Sequence, residues 1–188
     1  MGHPTRPSAT MPPVLKKVVV GLAGRRGSGK TTIAEILALK HQFVQRSFGN
    51  VVRGEAAKRG FQSDLGSLQE LGAAIIREWG WERFCRKVID ERPDADRLVL
   101  DGLRHVAAAD TVRGLVAPAR FVLVYVATPE AIRVERLKAR GRQGDFVAGT
   151  DNLEFDSELP ALRLVADLVV DDDAEIAAER IASFVTMS

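Results

Sequence analysis

The stretch VVVGLAGRRGSGKTT, residues Val18 to Thr32, decides the reading of this chain. It contains a complete G-x-x-x-x-G-K-[ST] pattern from Gly24 to Thr31, directly after an apolar β-branched run and directly before a helical pattern, which is the context a phosphate-binding loop requires. A glycine-rich turn that fits the pattern by accident would lack that flanking strand and helix. Gly24, Gly27 and Gly29 open backbone angles closed to other residues, so successive N–H groups from Arg25 to Thr31 can converge on a phosphate chain. The predicted nucleotide-binding segment is Gly24, Arg25, Arg26, Gly27, Ser28, Gly29, Lys30, Thr31 and Thr32. Lys30 is expected to reach the β- and γ-phosphates and the Thr31 hydroxyl to ligate Mg²⁺, with the positive end of the following helix dipole adding to the attraction. The sequence thus predicts that a nucleoside triphosphate binds here.

The rest of the composition sets bounds. At 188 residues the chain fits one domain with an ordinary core, and 46% hydrophobic and 28% charged residues are close to a soluble globular average. A formal net charge of +2 argues for neither a nucleic-acid nor a membrane partner. The single cysteine, Cys85, has no internal partner and reads as a buried thiol in the helical run WERFCRKVID, consistent with a reducing cytoplasm. No apolar stretch approaches the roughly 20 residues of a membrane span, and the Pro/Ser/Thr-rich start, residues 1–13, reads as a disordered tail without the apolar centre of a signal peptide.

Beyond the loop, strand and helix alternate. Expected strands are Lys17–Ala23, Gln42–Arg46, Arg97–Leu100, Arg120–Ala127 and Leu168–Val170. Expected helices are Lys30–His41, Val51–Arg59, Leu65–Trp79 continuing over Trp81–Asp90, Val106–Val116, one from Pro129 to about Ala139 capped by Thr128, and one from Ala174 carrying Ile176, Ile181 and Phe184. Such alternation implies right-handed crossovers and a parallel sheet covered on both faces, with the phosphate site at the carboxyl ends of the strands.

Three further motifs carry a resemblance. SFGNVVR, Ser47 to Arg53, resembles the S-x-G-D-x-[LI]-R segment of adenylate-kinase-like nucleoside monophosphate kinases, whose arginine holds the acceptor phosphate. LDGLR, Leu100 to Arg104, is similar to that family's D-G-x-P-R segment, one residue shorter, and ERLKARGRQGD resembles the start of its lid. The likeness runs in order over most of Val18 to Val170. It is closest to small members, including dephospho-coenzyme A kinases and archaeal kinase-like proteins that read G-D-V-x-R-E-E-A and D-G-I-R. It implies a three-layer α/β/α P-loop fold with a five-stranded parallel sheet, in a domain spanning 14–188. A small helical insertion for the acceptor is expected at about 48–92 and a short lid at about 140–152. Arg53, Arg104, Asn50 and Arg142 are implied in acceptor binding, and Arg136 and Arg140 in covering the donor and stabilising charge on the moving phosphoryl group.

These roles have independent physical sense. Phosphoryl transfer asks a protein chiefly for positioning and for neutralisation of charge on the equatorial oxygens. Planar, permanently charged arginine forks suit that task better than a flexible ammonium. Asp101, after the apolar run LVL, would be desolvated unless it met a cation, and it reads either as a Mg²⁺-orienting carboxylate opposite Thr31 or as a cap for the helix near Val106. ERLKAR also fits an ordinary exposed helix face. His41, His105 and Trp81 have no partner pattern and default to solvated or packing roles, although the two tryptophans around Gly80 could stack on a base.

The chain also departs from the pattern. Asn50 stands where the related motifs carry Asp. HVAAAD, after LDGLR, lacks the glutamine that reads adenine in adenylate kinases, which argues against AMP as acceptor. The stretch from Asp151 to Glu158 is acidic, with Phe155 near where relatives place an arginine. The expected function is ATP- and Mg²⁺-dependent transfer to a small phosphorylated nucleotide-like acceptor: a nucleoside or deoxynucleoside monophosphate, or dephospho-coenzyme A. The alternative is a nucleotide-binding regulatory module with weak ATPase activity. A nucleic-acid-end kinase would favour a basic surface that this chain lacks.

Overall fold

The computed structural model describes residues 18–61, 64–90, 95–139 and 156–187. Its elements, in chain order, are β1 (Val18–Ala23), α1 (Lys30–His41), β2 (Val44–Ser47), α2 (Phe48–Arg59), α3 (Leu65–Ile89), β3 (Arg97–Leu103), α4 (Val106–Val116), β4 (Arg120–Val126), α5 (Glu130–Ala139), α6 (Leu159–Leu164), β5 (Leu168–Val170) and α7 (Ala174–Met187). The five strands form one sheet in the order β2-β3-β1-β4-β5, with every neighbouring pair parallel.

Alternation along the strands divides the core in two. Val19, Ala23, Leu98, Leu100, Leu123 and Tyr125 pack under α2, α3, α4 and α6. Val18, Val20, Leu22, Val99, Val122 and Val124 face α1 and α7 on the other side. The three-layer α/β/α architecture expected from the alternating pattern is therefore present. Cys85 is buried, and desolvation pushes its thiol up to about 11, as befits a packing residue.

Several expected boundaries shift. The second strand is Val44–Ser47 rather than Gln42–Arg46, and α2 starts at Phe48 rather than Val51. The two helical runs flanking Gly80 join at a kink, where Gly80 takes φ 72° and ψ 165°. β3 continues three residues past Leu100 by way of a bulge: Leu22 pairs with Asp101, but Ala23 pairs with Leu103, leaving Gly102 unpaired at φ 88°. The six-residue α6 was not expected, because one and a half turns carry too little periodicity to stand out. Of the apolar residues singled out on the last helix, Ile181 is buried, with Ala177 and Ala178, while Ile176 is 51% exposed. The expected tail at 1–13 and lid at 140–152 lie outside the described residues.

Candidate phosphate and acceptor site

The site begins at the carboxyl end of β1. Gly24 leaves the strand at φ 143°, and a Cβ there would stand 2.6 Å from the Val126 carbonyl oxygen, so only glycine lets the loop cross the end of β4. The loop is held from α5 as well. Arg133, 2% exposed, donates from Nη1 to the Arg26 carbonyl oxygen at 2.8 Å. The Thr128 hydroxyl, expected as a cap, donates to the Ser28 carbonyl oxygen at 2.8 Å and ties the start of α5 to the loop. Arg136 Nη1 reaches the same carbonyl oxygen at 3.4 Å. Arg133 was missed in the sequence, although its spacing of three from Arg136 puts both on one helix face.

At the start of α1, the Lys30 ammonium is buried and donates to the Gly24 carbonyl oxygen at 2.6 Å, to the Arg25 carbonyl oxygen at 2.9 Å and to Ser28 Oγ at 3.2 Å. Burial is the main force lowering its pKa from 10.5 to about 8; Arg104 lowers it further, while Asp101 and Asp156 oppose the shift. That coupling puts Arg104 and Asp101 within electrostatic reach of the loop lysine. Thr31 Oγ1 donates to Asp101 Oδ2 at 2.7 Å, joining the first turn of α1 to β3. Asp101, 7% exposed, thus partners the loop threonine. The N-terminus of α4 is instead met by Glu158, whose Oε2 accepts the Val106 N–H at 2.8 Å.

A hydroxyl and a buried carboxylate 2.7 Å apart form a hard-oxygen pair that fits Mg²⁺, which commonly takes one or two protein oxygens and completes its shell with phosphate and water. Among the described residues no group of three or more His, Cys, Asp or Glu side chains could hold a metal by itself.

Beside the loop lies a cleft of about 540 Å³ between α2, α3 and the end of β3. Arg53 and Arg104 both line it, as expected of acceptor-site residues. Asn50, just outside on α2, accepts from Arg53 Nη2 at 2.5 Å. Arg104 Nη1 donates to Asp156 Oδ1 at 2.9 Å, and His105 Nδ1 lies 2.9 Å from Glu158 Oε1. Burial would raise the Glu158 carboxyl, but the bonds from His105 and the Val106 N–H outweigh it and hold the group below its ordinary value. The acidic stretch anticipated from the sequence therefore acts through particular residues: Asp156 on Arg104 and Glu158 on His105. Arg140 and Arg142 lie outside the described residues.

The sheet order, the loop and its flanking elements define a P-loop fold of the small-molecule kinase type, one that supports nucleotide binding and phosphoryl transfer in general. The chain belongs to the family described as an AAA domain, which matches residues 23–151, and to the UPF0200 proteins, being 31% identical over 132 residues to the one from Thermococcus gammatolerans, a span covering 68% of this chain and 69% of that protein. Among solved structures it resembles a sugar kinase from Janibacter sp., with a TM-score of 0.59 and 20% identity over 92% of this chain and 96% of that one. It also resembles the APS kinase of Mycobacterium tuberculosis, solved with AMPPNP and APS, with a TM-score of 0.58 and 19% identity over 91% of this chain and 98% of that one. At such identities the likeness concerns the fold. Among the described residues no helix is long and apolar enough to cross a membrane.

Proposed function

We propose that the protein is an ATP- and Mg²⁺-dependent kinase that transfers the γ-phosphoryl group to a small phosphorylated acceptor of the nucleoside monophosphate type. One observation carries the reading. Thr31 Oγ1 and Asp101 Oδ2 meet at 2.7 Å next to the buried Lys30, and Arg104, three residues after Asp101, lines the cleft, which supports reading Lys30 as a donor-phosphate cation, Asp101 as a carboxylate suited to metal and Arg104 as an arginine suited to the acceptor. Lys30 and the loop N–H groups hold the triphosphate, and Arg136 stands over the same loop. Mg²⁺, held by Thr31 and Asp101, would neutralise charge on the β- and γ-oxygens.

In the transfer an acceptor oxygen bonds to the γ-phosphorus as the bond to the β–γ bridging oxygen breaks, and ADP leaves. An ionised phosphate acceptor brings no proton to be removed, whereas a hydroxyl acceptor such as dephospho-coenzyme A does. Asn50, neutral and engaged with Arg53, is no general base, which favours the phosphate acceptor. The second reading, a regulatory module with weak ATPase activity, is favoured by the Arg104–Asp156 pair, which meets an acceptor arginine with a carboxylate of the same chain.

The test is ADP release measured against a panel of nucleoside and deoxynucleoside monophosphates and dephospho-coenzyme A, with and without Mg²⁺. Stimulation by at least one monophosphate supports the kinase. Slow release indifferent to every acceptor supports the regulatory module.

A further inference from the structure

One wall of the cleft beside Arg53 and Arg104 is a row of rings: Phe48 lies 5.7 Å from Phe84, Phe84 6.4 Å from Trp81, and Trp81 5.0 Å from His105, centroid to centroid, each pair tilted by 50–55°. Phe48 and Phe84 are buried behind, while Trp81 and His105 are half-buried and keep surface for a ligand. The rest of the lining is mixed, with Val52, Leu68, Gly72 and Ile76 beside the polar side chains of Gln69 and Arg77. Glu158 fixes the end of the ring row, since its carboxylate engages His105 and the Val106 N–H together. Arg104 is taken up by Asp156 and His105 by Glu158. Two tryptophans flank the kink in α3, but only Trp81 lines this cleft; Trp79 lies elsewhere, with Arg83 4.9 Å from its ring centre.

We infer that Trp81 and His105 form a stacking platform that binds the base of a nucleoside monophosphate by its faces, so that the site selects a flat ring joined to a phosphate. This rests on the proposed kinase reading for the identity of the ligand. The physical reason is that a base presents a flat π-face that an aromatic side chain can cover, whereas a ribose or a phosphate presents none. A cleft of about 540 Å³ lies within the range of small-ligand sites. Arg53 and Arg104 supply the phosphate end, and the ring row supplies a face for a planar body.

The test uses binding separately from turnover. With only two tryptophans in the chain, Trp79→Phe leaves Trp81 as the sole indole reporter. Its fluorescence is titrated, without ATP, with CMP, UMP, AMP and GMP, and with ribose 5-phosphate and inorganic phosphate as ring-free controls. The expected result is quenching by the nucleotides, with ribose 5-phosphate binding weaker than the tightest of them by roughly 5- to 150-fold. Calorimetry on Trp81→Leu should show the nucleotides weakened, with Trp81→Phe recovering most of the loss. Far-UV circular dichroism checks that both variants are folded, and the comparison with ribose 5-phosphate decides the matter even if they are not. Ribose 5-phosphate binding as tightly as the nucleotides, or no quenching by any nucleotide, overturns the inference. Quenching without acceptor-dependent ADP release would remove the kinase reading and leave the platform standing; acceptor-dependent ADP release without quenching would do the reverse.

Discussion

Lys30 is buried with its pKa lowered to about 8, a state that disfavours its charged form by roughly 3 kcal/mol relative to a solvated lysine. A phosphate beside the ammonium supplies the opposite charge that burial removes, so binding should restore full protonation. Binding of a triphosphate must then take up protons from solution. With a free-state pKa near 8, uptake at Lys30 should be about 0.1 proton at pH 7, about 0.5 at pH 8 and about 0.9 at pH 9. The assay is titration calorimetry with AMPPNP in pairs of buffers that differ in ionisation enthalpy, the difference in apparent heat giving the number of protons. Lys30→Met, which removes the titrating group while keeping much of the apolar stem, should lose this rise with pH. Uptake that stays flat from pH 7 to 9 in the wild type, or that rises equally in Lys30→Met, would refute the reasoning.

The same burial has a consequence for stability. Because the folded pKa lies below the unfolded one, the penalty is present in full below about pH 8 and is relieved as pH rises toward 10.5, so Lys30→Met should raise Tm at pH 7 by several degrees and by less at pH 10, as differential scanning calorimetry would show. Asp101→Asn should preserve the fold but lower turnover and shift the Mg²⁺ titration to higher concentration; an unchanged titration would leave the carboxylate only its bond to Thr31. Arg53→Ala and Arg104→Ala should each weaken the acceptor roughly ten- to a hundredfold with ATP affinity nearly unchanged, and Arg→Lys should recover little. Since Asp156 competes with an acceptor phosphate for Arg104, Asp156→Asn should tighten acceptor binding; weaker binding would show the pair acting to orient the arginine.

What could be read from the sequence was what is local. The loop from Gly24 to Thr31 carries its chemistry in contiguous residues, and strands such as FVLVYV announce burial on both faces. Asp101 stood out because it follows an apolar run directly, and Arg104 because LDGLR resembles a known motif. Contacts that close over long separations were not visible: nothing near Arg104 points to Asp156, 52 positions on, or links Arg133 to the Arg26 carbonyl oxygen. Trp81 defaulted to packing because one aromatic residue gives no sign of its neighbours; its place in a row of rings depends on the bend at Gly80 and on His105 arriving from another element. The end of β3 was misjudged for a related reason: a glycine after a carboxylate looks like the close of a strand, whereas here it is a step within one.

That step is a matter of counting. Along β3, even-numbered Leu98 and Leu100 face one side of the sheet, and odd-numbered Val99 and Asp101 face the other, toward α1. By strict alternation position 103 would join Asp101, and 104 would turn away from Lys30. Gly102 absorbs one count, so Leu103 returns to the side of Leu98 and Leu100, and the following position comes round to the side of Asp101. On the proposed reading, a single unpaired residue thus stands between a carboxylate for the donor and, just past the end of the strand, an arginine for the acceptor. Drawing Gly102 into regular pairing would invert the phase of everything beyond and turn Leu103 to the side of Asp101, and a side chain at φ 88° would strain the same count without changing it.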